Sequence, residues 1–533
     1  MIYSNMALYG MVVTPHHLAS ETAISILKEG GNAIEAIVAA AATIAVVYPH
    51  MNGLGGDGFW LIIPPDNNPI AIDASGAAGS LANVDFYRND LVIPYRGSKA
   101  ALTVAGTLSG WKEALSVSEE LNIYNKSSSL PLVRLLNDAI TYAGDGIPVS
   151  ESQYIATKTK IMELKDQPGF ASTFLPRGKI PEPGSIFLQK ELAITLKQLA
   201  LEGIDTFYKG NFSYYLAAQM SKLKIPITLQ DLQKHQAYRY KPLHITHSLG
   251  DIWNTRPPSQ GIVSLLILGI IDQLDMAKVD DVQTIHLIVE ATKQAFLLRN
   301  KYLTDPRYIT KDLQYLLNKK NFVRLANQIN DHKALNYSTL GHGPSDTVWM
   351  GAIDKNGLAV SFIQSIYYEF GSGVVIPNTG IIWHNRGVSF SLNPKHILAL
   401  SPGKKPFHTL SPAAARLKDN RIMVYGSMGG DGQPQIQAAI FNRYVVQKIP
   451  LQKTITMPRW IFGRTWGESS DSLKIEKGFK LDIIKNLYKL GHKIEILSAF
   501  SEDVGHAGAI VRHENGILEG ASDPRCNGSA TGF

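Results

Sequence analysis

The sequence contains one cysteine, Cys526, among its 533 residues. A single thiol excludes an internal disulfide framework and any metal cluster built from several cysteines. Long apolar runs are also missing, since the most apolar stretch, residues 36–47, is too short to span a bilayer and is typical of a buried helix. The first residues lack a basic segment followed by a long apolar one, so we expect no secretory signal and a cytoplasmic protein.

Runs of one charge are missing too. The chain has 52 Lys and Arg against 45 Asp and Glu, for a net charge of +7, but the basic residues are dispersed. This distribution argues against a nucleic-acid partner, and we expect no membrane partner either. A mildly positive field would suit a small anionic substrate. No repeat or Pro/Ser-rich linker divides the chain, so we expect one structural unit.

Two patterns that could indicate a cofactor or a metal lack the context they need. The segment 53–58 matches G-x-G-x-x-G, but it follows a predicted helix and opens a strand, the reverse of a dinucleotide fold. The pairs His16-His17 and His244/His247 have no third ligand at a suitable spacing. We therefore expect no cofactor and no metal, and we expect 53–58 to be a tight turn close to another backbone segment.

Hydrophobic periodicity predicts a chain that changes character in its last third. Residues 100–330 are mostly helical in pattern, whereas from about Thr347 short β-rich runs alternate with Gly and Pro turns. Asn32 is placed to cap a helix that follows Gly30-Gly31. Together these patterns indicate a layered α/β fold. The main predicted elements are a strand at 59–63 and helices at 18–29, 32–47, 132–143, 188–201, 262–274 and 282–303.

The most informative segment begins at Asp346-Thr347. Apolar runs at 348–353 and 358–363 flank Asp-Lys-Asn-Gly, and Asn-Gly is a strong hairpin signal because both residues tolerate positive φ. A turn centred on 355–356 or on 356–357 would place Thr347 roughly opposite residues 364–366, with Ser365 within hydrogen-bond reach across the strands. A surface hairpin with two ordinary hydroxyls is the alternative interpretation.

A threonine in this position gains chemistry if the chain is cut before it. The residue would then carry a hydroxyl nucleophile and a free amine that can act as its general base, so no histidine is needed. The preceding residues, 341–345, have the composition of a loop and suit a cleavage site.

A second segment of interest is Tyr425-Gly-Ser-Met-Gly-Gly430, which comes near the G-x-S-x-G elbow without fitting it. Successive N–H groups of Gly429 and Gly430 can point at one oxygen and form an oxyanion hole. A plain turn at the end of a strand is the alternative.

Taken in order along the chain, these segments resemble the gamma-glutamyltranspeptidase family of N-terminal-nucleophile hydrolases, over nearly the whole length. The segments that carry the resemblance are 10–13, 18–20, 26–34, 53–56, 228–232, 257–259, 402–406, 429–430 and 520–525.

The resemblance implies a four-layer αββα sandwich made as a precursor. It also implies self-cleavage between Asp346 and Thr347, by attack of the Thr347 hydroxyl on the preceding carbonyl and hydrolysis of the resulting ester. The products would be a large chain, 1–346, and a small chain, 347–533, that stay folded together; a homodimer of the processed pair is left open.

By the same resemblance, Thr347 is the nucleophile and Ser365 the hydroxyl that hydrogen-bonds it. Gly429 and Gly430 match the oxyanion-hole pair. His408 and Thr409 stand where the family has two substrate-contacting serines.

The departures from the family pattern concern the substrate. Tyr367 replaces an Asn that holds a substrate amine, and the stretch around Asn385, Arg386 and Ser389 replaces further amine-binding residues. The family's Arg-Glu carboxylate anchor is missing from residues 72–76. A cation at Arg386 would repel an ammonium and attract a carboxylate. A surface or ion-paired arginine is the alternative.

This pattern resembles the branch of the family that hydrolyses oxamate to oxalate and ammonia in purine-nitrogen breakdown, so we expect a small carboxylate amide as substrate. A gamma-glutamyl hydrolase or transpeptidase acting on glutathione-like substrates is the main alternative. A cephalosporin-type acylase and an inactive scaffold whose chain stays whole are the others.

Overall fold

A computed structural model describes residues 3–125, 128–337, 346–463 and 471–533. Its strands are β1 (Asn5–Ala7), β2 (Gly10–Thr14), β3 (Asp57–Ile63), β4 (Ile70–Ala74), β5 (Ile147–Pro148), β6 (Ile186–Phe187), β7 (Tyr238–Tyr240), β8 (Leu243–His247), β9 (Gly250–Asn254), β10 (Asp346–Asp354), β11 (Ala359–Tyr367), β12 (Val375–Ile376), β13 (Ile381–Ile382), β14 (Ala413–Leu417), β15 (Ile422–Ser427), β16 (Trp460–Phe462), β17 (Leu473–Glu476), β18 (Ile494–Leu497), β19 (Ala507–Arg512), β20 (Leu518–Ser522) and β21 (Ser529–Gly532). Its helices are α1 (His17–Lys28), α2 (Ala33–Val47), α3 (Thr107–Asn125), α4 (Leu132–Asp145), α5 (Glu151–Leu164), α6 (Phe170–Phe174), α7 (Lys190–Glu202), α8 (Asn211–Lys222), α9 (Leu229–Lys234), α10 (Gly261–Ile271), α11 (Asp281–Tyr302), α12 (Lys319–Ala326), α13 (Gln433–Phe441), α14 (Leu451–Thr456) and α15 (Leu481–Lys489).

Two seven-stranded antiparallel sheets form the centre of the molecule. The first has the strand order β21-β2-β10-β11-β3-β4-β7, and the second β1-β20-β19-β15-β14-β9-β8. Alternate side chains of each strand divide between two cores, as a pleated sheet requires. In β3, for example, Trp60 and Ile62 pack with the helices, while Phe59 and Leu61 pack with the opposite sheet.

Helices cover both outer faces of this sandwich. The helix-side core of the first sheet contains α1, α2, α4 and α7, and that of the second contains α10, α11 and α13. The predicted four-layer αββα architecture is confirmed. Among the described residues no helix is both long and apolar enough to cross a membrane.

The long predicted helices are found within a few residues of their expected bounds, and Asn32 caps α2 in a capping box with Glu35. The mostly helical region and the β-rich region are both found, but each contains elements that the sequence did not predict. The mostly helical region contains the strands β7, β8 and β9, each three to five residues long, which is too short for a clear period. The β-rich region contains the helices α13, α14 and α15. The predicted cleavage loop, 341–345, lies outside the described residues.

The predicted hairpin is formed by β10 and β11, with Ile353 paired to Ala359. Of its turn residues only Gly357 has a positive φ, 86°; Asn356 tolerates a positive φ but does not adopt one. The buried Asp354 carboxylate replaces that geometry by accepting the N–H groups of Asn356 and Leu358. It also accepts the N–H of Ala33 at 3.1 Å, which ties the turn to the N-terminus of α2.

Trp349 fixes the position of β10 between the sheets. Its indole donates to Ser361 Oγ at 2.9 Å, and its ring fills space that three glycines leave open. A Cβ at Gly351, Gly426 or Gly508 would lie 2.8, 2.1 or 2.4 Å from the ring. The two sheets therefore approach each other at this point only because these positions carry no side chain.

We expect Gly426→Ala to lower the free energy of unfolding by about 1–3 kcal/mol, because the new methyl group must displace the Trp349 ring in a close-packed core. Gly144→Ala in α4 is the control, since its Cβ would meet only Ala193 at 3.9 Å and should stabilise the helix by about 0.5–1 kcal/mol. Urea unfolding followed by tryptophan fluorescence measures both. Equal stability of Gly426→Ala and wild type would contradict the packing argument.

Candidate active site

The start of β10 meets the end of β11 at one end of the first sheet. Val348 pairs with Gln364 and Asp346 with Tyr367, and the register shift between these pairs places Thr347 opposite residues 365 and 366. This confirms the cross-strand position predicted for Thr347. The residue is buried, and its hydroxyl has no hydrogen-bond partner within the described ranges. A buried hydroxyl without a partner is costly, and it is free to react.

Ser365 lies between two neighbouring strands at this end. It pairs with Asp57, the first residue of β3, and its Oγ accepts the backbone N–H of Tyr367 at 2.8 Å. The pairing brings the Asp57 carboxylate of β3, the Ser365 hydroxyl of β11 and the Thr347 hydroxyl of β10 to the same end of the sheet.

Tyr367 ends β11 in a conformation that residues with a side chain rarely adopt, with φ 81°. Asn385 supports the chain next to it, because its Oδ1 accepts the N–H of Tyr368 at 3.1 Å. The same side chain donates to the Tyr95 carbonyl at 2.9 Å. Both groups of the Asn385 amide are thus engaged by backbone, and they hold a strained residue of the kind found at functional sites.

Arg386 is a buried cation with 1% of its surface exposed. Its guanidinium carbon lies 3.7 Å from the centre of the Tyr367 ring, and its Nη1 donates to Thr409 Oγ1 at 3.2 Å. Its Nη2 has no hydrogen-bond partner among the described residues. Burial lowers the pKa of Arg386 to about 10, so it stays charged at neutral pH. The alternative of a surface or ion-paired arginine was wrong, since no carboxylate in the described part of the chain pairs with it.

Asp57 is a buried carboxylate that has several donors. Its Oδ1 accepts the N–H groups of Gly76 and Gly106 at 3.0 and 3.2 Å, and its Oδ2 accepts His408 Nε2 at 3.0 Å. His384 Nδ1 lies 3.3 Å from the same oxygen. Burial alone would raise the pKa of Asp57, but its contacts with His384 and His408 hold that pKa below the usual range.

His408 is neutral in this arrangement. Burial, followed by the charge of Arg386, lowers the pKa of His408 to about 3. Its Nε2–H donates to Asp57, its Nδ1 lies 3.5 Å from the N–H of Leu410, and its ring meets Phe59 edge-on. The ring therefore braces the segment that carries Thr409.

Gly429 and Gly430 form a turn at the end of β15 with φ values of 116° and 52°. Gln260 holds this turn beside Thr409, because its Nε2 donates to the Gly430 carbonyl at 2.8 Å and to the Thr409 carbonyl at 3.2 Å. The successive glycines that the sequence indicated as an anion-binding turn therefore lie next to the residue that contacts Arg386.

A buried ion-pair network braces the other side of this turn. The N–H of Met428 donates to the His506 carbonyl at 3.0 Å, and the next N–H, of Ala507, donates to Asp523 Oδ2 at 2.7 Å. Asp523 pairs with Arg459 and Arg525, and all three are buried. The last predicted family segment, 520–525, thus supports the glycine turn through one intervening strand.

The glycine turn 53–56 lies against the same site. A Cβ at Gly55 would lie 2.2 Å from the Ile382 carbonyl oxygen, and one at Gly56 would lie 2.2 Å from that of Ser365. The expected close approach of two backbones is confirmed.

The structure thus brings together Thr347, Ser365, Tyr367, Asn385, Arg386, His408, Thr409, Gly429 and Gly430. Sequence reasoning missed Asp57, His384 and Gln260, which hold these residues in place. Of these three residues, only Asp57 could have been recognised from the sequence, because it is an acidic residue between two glycines at the start of a strongly apolar strand. His384 and Gln260 act through contacts with distant segments that no local pattern reveals.

Metal-ligand side chains come close together elsewhere, at His286, Glu290 and His492. The two rings share a hydrogen bond of 2.8 Å, and Glu290 pairs with the buried Lys293 at 2.7 Å. The carboxylate is already neutralised by a cation, so the group is satisfied as a buried polar network.

The four layers, the buried threonine at a strand end and the double-glycine turn define a hydrolase of the N-terminal-nucleophile class. A model of the gamma-glutamyltranspeptidase family matches residues 19–533, and the chain belongs to that family. It is 61% identical over 530 residues to the oxamate amidohydrolase proenzyme of Klebsiella pneumoniae, covering 99% of each chain. It is 38% identical to a glutathione hydrolase-like proenzyme of Bacillus subtilis, covering 98% of each.

Among solved structures the chain is similar to cephalosporin acylase from Bacillus halodurans, with a TM-score of 0.91 and 30% identity. That match covers 100% of this chain and 97% of the acylase. Family membership and these similarities show that the chain is an amidohydrolase.

We expect Asp523→Asn to lower the free energy of unfolding by about 3 kcal/mol or more, because it leaves the buried guanidinium of Arg459 without a charge partner. Asp419→Asn is the matched control. It breaks the ion pair between Asp419 and Arg421, in which the Asp419 side chain is 56% exposed. The substitution should lower the free energy of unfolding by less than about 1 kcal/mol. Chemical denaturation of both variants makes the comparison, and equal losses would contradict the assigned difference.

Proposed function

We propose that this protein is a self-processing amidohydrolase that converts oxamate to oxalate and ammonia through an acyl-enzyme on Thr347. The observation that carries the proposal is the buried guanidinium of Arg386, which has no carboxylate partner in the described residues and lies over Tyr367, the cross-strand partner of Asp346. Support comes from the similarity to a proenzyme named for oxamate.

Processing begins with Thr347 itself. The hydroxyl oxygen attacks the carbonyl carbon of Asp346, the amide nitrogen leaves as the new amine of Thr347, and an ester joins the two residues. Water then hydrolyses the ester, which frees the carboxylate of a chain 1–346 and the hydroxyl of a chain 347–533. The new α-amine can take the proton of the hydroxyl in the next reaction, as in other N-terminal threonine enzymes.

The amide reaction repeats this chemistry on the substrate. The Thr347 oxygen attacks the amide carbonyl of oxamate, and the N–H groups of Gly429 and Gly430 stabilise the oxyanion that develops. The amide nitrogen takes a proton and leaves as ammonia, with an oxalyl ester on Thr347. Water attacks this ester, and oxalate leaves with the hydroxyl restored. Ser365, across the strands, is proposed to hydrogen-bond the nucleophile.

Arg386 is proposed to hold the substrate carboxylate. Its free Nη2 and its Nη1 form a planar pair of donors that suits two carboxylate oxygens, with Thr409 as a further donor beside them. Tyr367, His408 and Asn385 were predicted to contact the substrate. Because His408 and Asn385 are engaged by Asp57 and by backbone groups, we propose that these two position the site, and that the Tyr367 ring forms the wall behind the guanidinium.

The alternative substrate is a gamma-glutamyl compound, and it is favoured by a relative named as glutathione hydrolase-like, 38% identical, and by one named as a glutathione hydrolase, 30% identical. Such a substrate carries an ammonium group, which a buried arginine repels at close range. The charge of Arg386 therefore favours oxamate. Purine-nitrogen breakdown, a cytoplasmic location and a homodimer of the processed pair stay predictions.

We expect intact-mass measurement to show wild type as two chains, 1–346 and 347–533, and Thr347→Ala as one. Thr347→Ser, which keeps a hydroxyl, is the control and should still be cut. The nucleophile assignment fails if wild type remains whole or if Thr347→Ala is cut at the same bond.

We expect Arg386→Gln to raise KM for oxamate by roughly 10- to 100-fold, because a hydrogen bond to a charged group contributes about 1.5–3 kcal/mol. Arg88→Gln, an exposed arginine, should leave KM unchanged. Initial rates of ammonia release measure both, with glutathione as the second substrate. Robust cleavage of glutathione by wild type, with none of oxamate, would support the gamma-glutamyl alternative.

A further inference from the structure

A cavity lies beside the catalytic end of the sandwich, along the outer strands β7 and β8. Its volume of about 820 Å³ is in the range of small-molecule sites. Its walls include Tyr238 and Tyr240 of β7, Arg256 and Pro257 after β9, and residues 309–313. The described residues that line it include none of those proposed to attack or bind oxamate.

The carboxylates of this cavity are already engaged. They are Asp73, Asp231, Asp305 and Asp312. Asp73 and Asp305 form ion pairs of 2.7 and 2.6 Å with Lys405 and Arg307. Asp231 and Asp312 accept backbone N–H groups at 2.8 and 2.9 Å. The acids therefore have their charges balanced or their oxygens occupied by neighbouring groups.

Several donors in the same wall have no such partner. Arg256 Nε is buried and makes no hydrogen bond within the described part of the chain. The buried Tyr240 hydroxyl has no acceptor there, and Lys234 and Lys311 form no ion pair with described residues. The cavity thus has a surplus of positive charge and two buried donors close together, an arrangement that attracts an anion.

Part of the wall is apolar, with Leu243, Pro257, Ile309 and Leu313. Oxamate, with six non-hydrogen atoms, would fill only a small part of this space. We propose that the cavity binds an organic carboxylate with an apolar body. Its carboxylate meets Arg256 and Tyr240, whose planar guanidinium and single hydroxyl suit two carboxylate oxygens, and its body packs on Leu243 and Leu313.

This site is a neighbour of the catalytic one and is separate from it. Arg256 begins the segment that pairs with His408, where the N–H of His408 donates to the Pro258 carbonyl and that of Gln260 donates to the His408 carbonyl, both at 2.9 Å. One of these segments lines the cavity at Arg256 and Pro257, and the other carries Thr409, which contacts Arg386. Binding there needs no turnover, so it is tested independently of the proposed reaction.

The test is calorimetric titration of the processed protein with 1-naphthoate as the probe. We expect saturable binding to wild type, at least tenfold weaker binding to Arg256→Met, and several-fold weaker binding to Tyr240→Phe. Arg256→Lys should keep part of the affinity, which separates loss of the charge from loss of the fold. The neutral 1-naphthalenemethanol should bind at least tenfold more weakly than the acid.

Two controls locate the probe. Arg88→Met removes an exposed arginine outside the cavity and should leave the affinity unchanged, as should Arg386→Gln in the catalytic site. Absence of naphthoate binding to wild type, unchanged affinity in Arg256→Met, or loss of affinity in Arg386→Gln would each overturn the proposal.

Discussion

The register between β10, β11 and β3 is the constraint on which the catalytic end depends. It sets Thr347 across from Ser365, and Ser365 next to Asp57. Because side chains alternate along a strand, a slip of one residue would turn Thr347 from the space between the sheets towards the helices. Trp349, held among three glycines, makes such a slip costly.

The helix layer fixes the same register from the other side. Gln364 of β11 accepts the indole N–H of Trp111 at 3.1 Å and donates to Asn52 at 2.8 Å. A shift of β11 would break both buried hydrogen bonds as well as its ladder. The nucleophile is therefore placed by two cores and a polar clamp, and the position of a single hydroxyl follows from the packing of the whole sandwich.

Two opposite charges are buried at this end, and the protein treats them differently. Asp57 accepts three hydrogen bonds and lies 3.3 Å from His384 Nδ1, so its charge is stabilised within the fold. Arg386 receives a hydroxyl and an aromatic face, but no carboxylate among the described residues. Burying an unpaired cation costs several kcal/mol, and a substrate carboxylate would recover part of it. In the proposed function the same charge would bind an acid and repel an ammonium, so affinity and specificity would have one physical source.

The local features of this arrangement could be predicted from the sequence. The hairpin, the position of Thr347 and the capped helix after Asn32 follow from spacing over fewer than about 20 residues, where pattern is informative. The contacts that hold the site in place could not be predicted, because Asp57 and His408 are distant in sequence and meet only when the two sheets have packed together. The strands β7–β9 were not predicted for another reason, since segments of three to five residues show no distinct hydrophobic period.

Tyr367 and Arg386 form a coupled pair, which explains why the two positions are proposed to act together on the substrate. The guanidinium carbon lies 3.7 Å from the centre of the ring, a contact that holds the group while its Nη2 makes no hydrogen bond among the described residues. With an asparagine at 367 the arginine would lose this support and could turn towards other acceptors. With the tyrosine alone, the site would have a wall but no charge. The positive φ of Tyr367 adds strain that Asn385 offsets through the next residue, so the positions of Tyr367, Asn385 and Arg386 depend on one another.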